Sequence, residues 1–240
     1  MYLIIDIGNT LQKAGVYSED GELLQLLRQP QLSMEQLQQW LKEYAIRYSI
    51  FSTVGASNDS LLSFLQKETK CIVFDHTTPL PVHIDYQTPS TLGKDRIAAA
   101  VAASSLFPHQ NVLIVQAGTC IVMDFIDKNC HYHGGSIAPG IQMKIKSLHQ
   151  FTQHLPEIEI QKTDSFIGKN TTESILNGVL LGTVDEINGA IGRYASSFEN
   201  IKVILTGGDT ELLQEKIKSP IFATPNLVLY GLYKILRINA

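Results

Sequence analysis

Clustered basic charge is missing from this 240-residue sequence. Its 19 Lys and Arg are scattered along the chain and outnumbered by 23 Asp and Glu, giving a net charge of −4 and a pI near 6.0. A surface built to grip nucleic acid is therefore not expected. Long apolar runs are missing too: residues 97–103 and 112–115 stop far short of the ~20 residues that span a bilayer. Cysteine is scarce. Cys71, Cys120 and Cys130 are an odd number with no CxxC pair, which gives no disulfide framework and suits buried thiols in a reducing compartment. The first six residues show no charged leader and read at once as a strand, so a cytoplasmic protein is expected. Neither GxxxxGK[ST] nor a GxGxxG after a strand occurs, which removes the two commonest nucleotide-binding folds. What is present is enough apolar residue, 44% of the chain, for two packed lobes.

An internal repeat organises the chain. Tyr2-Leu3-Ile4-Ile5 leads into Asp6-Ile7-Gly8-Asn9-Thr10, and Val112-Leu113-Ile114-Val115 leads into Gln116-Ala117-Gly118-Thr119-Cys120. Superposing Asp6 on Gln116 also superposes Gly8 on Gly118. Each copy continues with a second β-like stretch, residues 13–17 and 121–126. A turn follows, Asp20-Gly21 or Lys128-Asn129, and then a third strand, residues 22–27 or 131–136. The first half goes on with a helix over 33–44 capped by Ser33, a strand over 48–54, a helix starting at Asn58 and a strand over 71–74. A Pro-rich stretch, 78–89, leads into Gly93-Lys94-Asp95-Arg96 and an alanine-rich helix to Phe107. In the second half helices are expected over 139–149, from Thr171 onward, and over 227–236, with a strand over 202–205. Strands followed by helices in both halves indicate α/β lobes facing one another across a cleft, divided as 1–108 and 109–240. Gly178, Gly182, Gly189 and Gly192 thin the helix from Thr171, for internal packing or for a subunit interface.

An acid at a strand end followed by a glycine turn lets backbone N–H groups approach a phosphate while the carboxylate holds Mg2+. A single such turn is a weak signal; its repetition is a stronger one. Two further glycine segments, Gly134-Gly135-Ser136-Ile137-Ala138-Pro139-Gly140 and Thr206-Gly207-Gly208-Asp209, read as additional turns around a nucleotide. Lys13 stands where an ammonium reaches phosphates, or is an ordinary strand lysine. His131 and His133 share a strand face as a candidate zinc pair, but no second cluster completes it. The remaining histidines lack a Ser or Cys partner for a nucleophilic triad.

Together these segments, with Tyr86, Pro89 and Thr171, resemble the type III pantothenate kinases, in the superfamily that includes actin, sugar kinases and the heat-shock ATPase. The resemblance covers essentially the whole chain and implies duplicated ribonuclease-H-like (actin-like ATPase) lobes. It implies ATP-dependent phosphorylation of pantothenate to 4'-phosphopantothenate, the entry to coenzyme A. It assigns Asp6, Ile7, Gly8, Asn9, Thr10, Leu11, Gln12, Lys13 and Thr119 to ATP. Tyr86, Gly93, Lys94, Asp95, Arg96 and Thr171 go to pantothenate, with Thr171 supplied by the partner subunit of a homodimer. Asp95 is implied as general base. A first-turn helix acid stabilised by the dipole, beside a cation able to grip a carboxylate, suits that role. The implied cofactors are Mg2+ and a monovalent cation, K+ or NH4+, with Asp6 and Asp124 as supporting acids.

The chain departs from the family at Gln116, where an Asp of the monovalent-cation site is usual, and at Val122, where Thr is usual. Losing a unit charge at ~4 Å through a dielectric of ~20 removes roughly 4 kcal/mol before screening. Reduced turnover or an altered cation requirement is expected. The alternative function is a catalytically impaired ligand-binding or regulatory homologue.

Overall fold

The computed structural model describes residues 1–54, 58–161 and 165–240. In chain order the elements are β1 (Tyr2–Ile7), β2 (Gln12–Tyr17), β3 (Leu23–Gln29), α1 (Met34–Glu43), β4 (Tyr48–Thr53), α2 (Asp59–Glu68), β5 (Lys70–Val73), β6 (His83–Ile84) and α3 (Lys94–Leu106). There follow β7 (Val112–Ala117), β8 (Cys120–Ile126), β9 (His131–Pro139), α4 (Ile141–Phe151), α5 (Thr171–Ser197), β10 (Lys202–Thr206), α6 (Thr210–Leu213), β11 (Phe222–Ala223) and α7 (Leu227–Asn239).

The duplication read from the strand ends is present in the topology. The first sheet runs β3-β2-β1-β4-β5 and the second β9-β8-β7-β10-β11, with β6 added beyond β9. Each central strand has a parallel neighbour that arrives after a helical crossover, β4 beside β1 and β10 beside β7. Registers correspond as well: Asp6 lies opposite Ser52, and Gln116 opposite Thr206.

Two compact units result. The first comprises residues 1–109, 126–133 and 226–240, and the second 110–125 and 134–225. Helix α7, which the division at 108/109 puts in the second lobe, therefore packs in the first unit. There Gly231 is what brings it against α3: a Cβ at 231 would lie 1.8 Å from the Ala98 carbonyl oxygen. Every residue of α3 from Arg96 to Ala103 is buried, and alanine is the residue that fills so tight a crossing at least cost in helix propensity.

On one face of the first sheet, Leu3, Ile5, Val16 and Phe51 pack with Leu37 and Trp40 of α1 and Leu61 and Leu65 of α2. Helix α1 starts where Ser33 Oγ accepts the Gln36 N–H, and its apolar residues recur at helical spacing. In the second unit Leu113, Val115, Ile121 and Leu205 pack with Ile141 and Ile145 of α4 and with Ile175, Val179, Leu180 and Ile187 of α5. Asn170 caps α5 by accepting the Glu173 N–H at 2.9 Å.

Two expectations need correction. Residues 134–139 are not a turn: β9 continues to Pro139, and α4 begins at Ile141 after Gly140. Gly135 serves close approach instead, since a Cβ there would lie 1.8 Å from the Met123 carbonyl oxygen on β8. The glycines of α5 are not needed for internal packing. Gly178, Gly182 and Gly192 are exposed, and added Cβ atoms would meet nothing within 4 Å. Among the described residues no helix is long and apolar enough to cross a membrane.

Candidate active site

In the first unit the strand-end acid Asp6 is buried at 5% exposure, and its Oδ1 has no hydrogen-bond partner among the described residues. Burial pushes its carboxyl up to about 6 from 3.8, Lys13 opposing that shift and Asp95 adding to it. Two carboxylates and an ammonium thus act on one locality. Lys13 is there because β2 pairs antiparallel with β1, Asp6 opposite Lys13. The intervening turn is tight: the Gly8 N–H donates to the Leu11 carbonyl at 3.2 Å, and a Cβ at Gly8 would come within 2.8 Å of that oxygen. Asn9, Thr10 and Leu11 are exposed on it, and Gln12 begins β2, its side chain accepting from the Leu32 N–H. Ile7 is a core residue.

Asp95 occupies the first turn of α3, one residue past Lys94. Its Oδ1 accepts the Arg96 N–H at 3.0 Å and lies so near Gly93 that a Cβ there would be 2.5 Å away. Arg96 is buried at 6% exposure. Its guanidinium lies over two rings, 5.7 Å from the centroid of Tyr86 and 6.0 Å from that of Tyr132. The first unit therefore brings together Asp6, Lys13 and Asp95, and separately Tyr86 and Arg96. Tyr132 and Ser52 escaped the sequence reading. Tyr132 is fully buried on β9; Ser52 is buried opposite Asp6, its Oγ without a partner among the described residues. Neither carries a motif, and each is placed only by strand pairing, Ser52 with Asp6 and Tyr132 with Ile84.

In the second unit three glycine-bearing segments pack backbone on backbone. The Gly118–Thr119 turn joins β7 to β8, with the Gly118 N–H donating to the Cys120 carbonyl. A Cβ at Gly140 would fall 2.0 Å from the Gly118 oxygen and 2.6 Å from that of Thr119. Gly207, at φ +105°, would set a Cβ 2.0 Å from the Ala117 oxygen, and the Asp209 N–H donates to the same oxygen. Only glycine fits this close packing. Burial pushes the Asp209 carboxyl up. Gln116 is the last residue but one of β7, with its Nε2 buried and unpartnered among the described residues; Thr119 is exposed on the turn.

Asp124 is completely buried on β8, and with burial as the larger cause it helps push the Tyr194 phenol up. Thr171 is exposed at the start of α5. The two strand histidines have carboxylate partners, His131 Nδ1 with Asp85 Oδ2 at 2.7 Å and His133 Nε2 with Asp127 Oδ2 at 3.0 Å. Among the described residues no group of three or more His, Cys, Asp or Glu side chains is arranged to hold a metal ion.

Comparison with known proteins is consistent from family model to fold. The family model described as Type III pantothenate kinase matches residues 2–193. A type III pantothenate kinase of Christiangramia forsetii is 40% identical over 240 residues, covering 100% of this chain and 99% of its own. Two solved structures share the fold. One is a protein assigned to the Baf family of transcriptional activators from Campylobacter jejuni, with TM-score 0.62, 24% identity and coverage of 99% and 98%. The other is a protein from Sinorhizobium meliloti assigned as a 2-dehydro-3-deoxygalactonokinase, with TM-score 0.61, 13% identity and coverage of 100% and 99%. This chain belongs to the type III pantothenate kinase family.

Proposed function

We propose that the chain transfers the terminal phosphoryl group of ATP to the primary hydroxyl of pantothenate, giving 4'-phosphopantothenate and ADP. The observation that carries this reading is the pairing of a buried, unpartnered Asp6 carboxylate oxygen with Asp95 within electrostatic reach of it in the same unit. In this reading the Asp6 turn with Lys13 holds phosphate oxygens of the nucleotide, and the Gly118–Thr119 turn is, in its own unit, a phosphate-binding turn. The fixed guanidinium of Arg96, backed by Tyr86, takes the pantothenate carboxylate. Asp95 accepts the hydroxyl proton as that oxygen bonds to the γ-phosphorus and the bond to the ADP oxygen breaks. Such transfer depends mainly on positioning and charge neutralisation, so an ordinary carboxylate is base enough.

Asp6 suits Mg2+, because its orphaned buried oxygen is an anionic acceptor in want of a hard cation. Bound there, Mg2+ supplies charge neutralisation at the phosphate oxygens. Gln116 lacks the charge of an acid but keeps an amide oxygen, a weaker ligand for K+ or NH4+. A cytoplasmic homodimer completes the proposal, with Thr171 serving the substrate site of a partner subunit. Its support is the exposure of Thr171 and the open surroundings of Gly178, Gly182 and Gly192 on the same helix.

Complementation of a bacterium lacking pantothenate kinase tests the activity. Growth with the wild-type chain and none with Asp95→Asn, both soluble, is the expected result. Failure of the wild-type chain to restore growth, or of purified protein to release ADP only when pantothenate is present, would sink it.

A further inference from the structure

We infer that His131 is a positioning residue for the pantothenate site: through Asp85 it pins the strand end that delivers Tyr86 to Arg96. The inference rests on the reading of Arg96 and Tyr86 as the carboxylate grip proposed above.

The segment that is pinned is short. Strand β6 is only His83 and Ile84, paired in parallel with His131 and Tyr132 of β9, and it emerges from a stretch in which Pro79 and Pro81 have no N–H to donate. The His83 N–H donates to the Cys130 carbonyl and the Asp85 N–H to that of Tyr132, each at 2.9 Å. Tyr86 follows at once, outside regular structure. A side-chain bond reinforces this brief ladder, His131 Nδ1 standing 2.7 Å from Asp85 Oδ2. A carboxylate oxygen only accepts, so the ring donates from Nδ1.

His131 is itself held in place. Its backbone N–H donates to Asp127 Oδ1 at 3.0 Å, and its carbonyl accepts the Asp127 N–H at 3.0 Å, so the turn before β9 is closed from both sides. Its ring also stacks on that of His83, with centroids 4.7 Å apart.

Strand geometry separates the pin from the site. Successive residues face opposite sides of a strand. His83, Asp85 and His131 lie on one face, and Tyr86 and Tyr132 on the other, where both rings lie against the Arg96 guanidinium. His131 therefore faces away from Arg96 and acts through the backbone that joins Asp85 to Tyr86. The pinned side chains are 39% and 49% exposed, so their bond adds little to global stability. Its consequence is local. With the pin released, Tyr86 no longer stands fixed against a guanidinium that must meet a carboxylate in one orientation.

Steady-state ADP release by the full chain, with pantothenate and ATP varied in turn, tests this. His131→Phe keeps the ring and loses the donor; Asp85→Leu loses the acceptor. Each should raise the KM for pantothenate about three- to tenfold, the scale of losing one wall of a cation–π contact. The KM for ATP and kcat should stay within about twofold, and Tm within about 2 °C. Combining the two should cost no more than either alone, because they remove the same bond. His131→Asn, which sets an amide N–H near the place of Nδ1, should recover most of the loss. Pantothenate KM values within about twofold of wild type in His131→Phe and Asp85→Leu would overturn the inference. So would equal rises in both KM values, or a His131→Asn chain as impaired as His131→Phe. If one variant does not fold, the other, on a different strand, decides. Wild-type protein that releases no ADP with pantothenate would overturn the carboxylate reading itself, and this inference with it.

Discussion

Gly93 lies directly beneath the Asp95 carboxylate: a Cβ on residue 93 would stand 2.5 Å from Asp95 Oδ1. The backbone at Gly93 has φ −57° and ψ 132°, which any residue adopts, so the glycine is there for space and not for conformation. Gly93→Ala should therefore fold and still misplace the carboxylate. Its bond from the Arg96 N–H would be lost with it. Misplacing a reacting group by ~1 Å costs on the order of 10- to 100-fold in kcat. The check is kcat from ADP release beside a thermal melt. An unchanged kcat would show that Asp95 does not act from this position.

Arg96 should owe its aim to two rings. Tyr132→Phe keeps the ring face and should leave the KM for pantothenate within about twofold, whereas Tyr132→Leu removes one wall from the guanidinium. A cation–π contact of ~0.5–2 kcal/mol corresponds to a KM for pantothenate raised about 3- to 30-fold, with the KM for ATP unchanged. Equal rises in both constants would mean general loss of structure.

Much of this architecture was legible because the two copies of the strand-end motif lie in the same frame. Asp6 with Gly8, and Gln116 with Gly118, announce a duplicated sheet before any coordinates, and the strand orders agree with it. Helices with a capping residue and an apolar stripe, such as α1 after Ser33, were equally plain. Less legible was anything set by contact between distant segments. Gly135 resembles a turn residue, yet it lets β9 run against β8. Helix α7 follows the second half in sequence and packs with the first, because Gly231 and Ala98 fit one another. The two-residue strands β6 and β11 and the single-turn helix α6 are too short for any periodicity to register. At the candidate site the motif residues were named from resemblance, while Tyr132 and Ser52 enter only through pairing of strands.

The crossing of α3 and α7 should be intolerant of any side chain at 231. With the Ala98 carbonyl 1.8 Å from the added Cβ, Gly231→Ala must force the helices apart. Overpacking of this kind costs about 1–3 kcal/mol, partly offset by the better helix propensity of alanine. Urea unfolding should show a lower midpoint. Because α3 carries Asp95, kcat should fall too, and a stability equal to wild type would refute so tight a crossing.

Gly140→Ala should act on the nucleotide alone. The added methyl would press on the Gly118 and Thr119 carbonyls and displace the turn assigned to the phosphates. A KM for ATP raised about tenfold, with pantothenate KM within about twofold, is the expected pattern for loss of one or two charge-assisted hydrogen bonds. A rise in pantothenate KM of the same size would take that turn out of the nucleotide site.

Asp6 should make the unliganded protein less stable as pH rises. Its folded carboxyl is held at about 6 against 3.8 unfolded, so between these values the folded state binds the proton more tightly and stability falls with increasing pH. Below the lower value the contribution vanishes, and above the upper one the penalty is complete, on the order of 2–3 kcal/mol. Asp6→Asn removes the ionisation, so it should raise Tm by several degrees at about pH 7.5 and barely at about pH 4. The same charge that destabilises the empty fold is what a Mg2+ at Asp6 requires. MgCl2 should therefore stabilise the wild type near neutral pH, and do so less as the carboxyl protonates. It should leave Asp6→Asn unmoved. In kinetics, kcat/KM for Mg2+–ATP should fall on the acid side with a midpoint near 6, since that ratio reports the free enzyme. An Asp6→Asn variant with wild-type activity, or with a lower Tm at neutral pH, would show that the buried acid is part of the scaffold and not of the metal site.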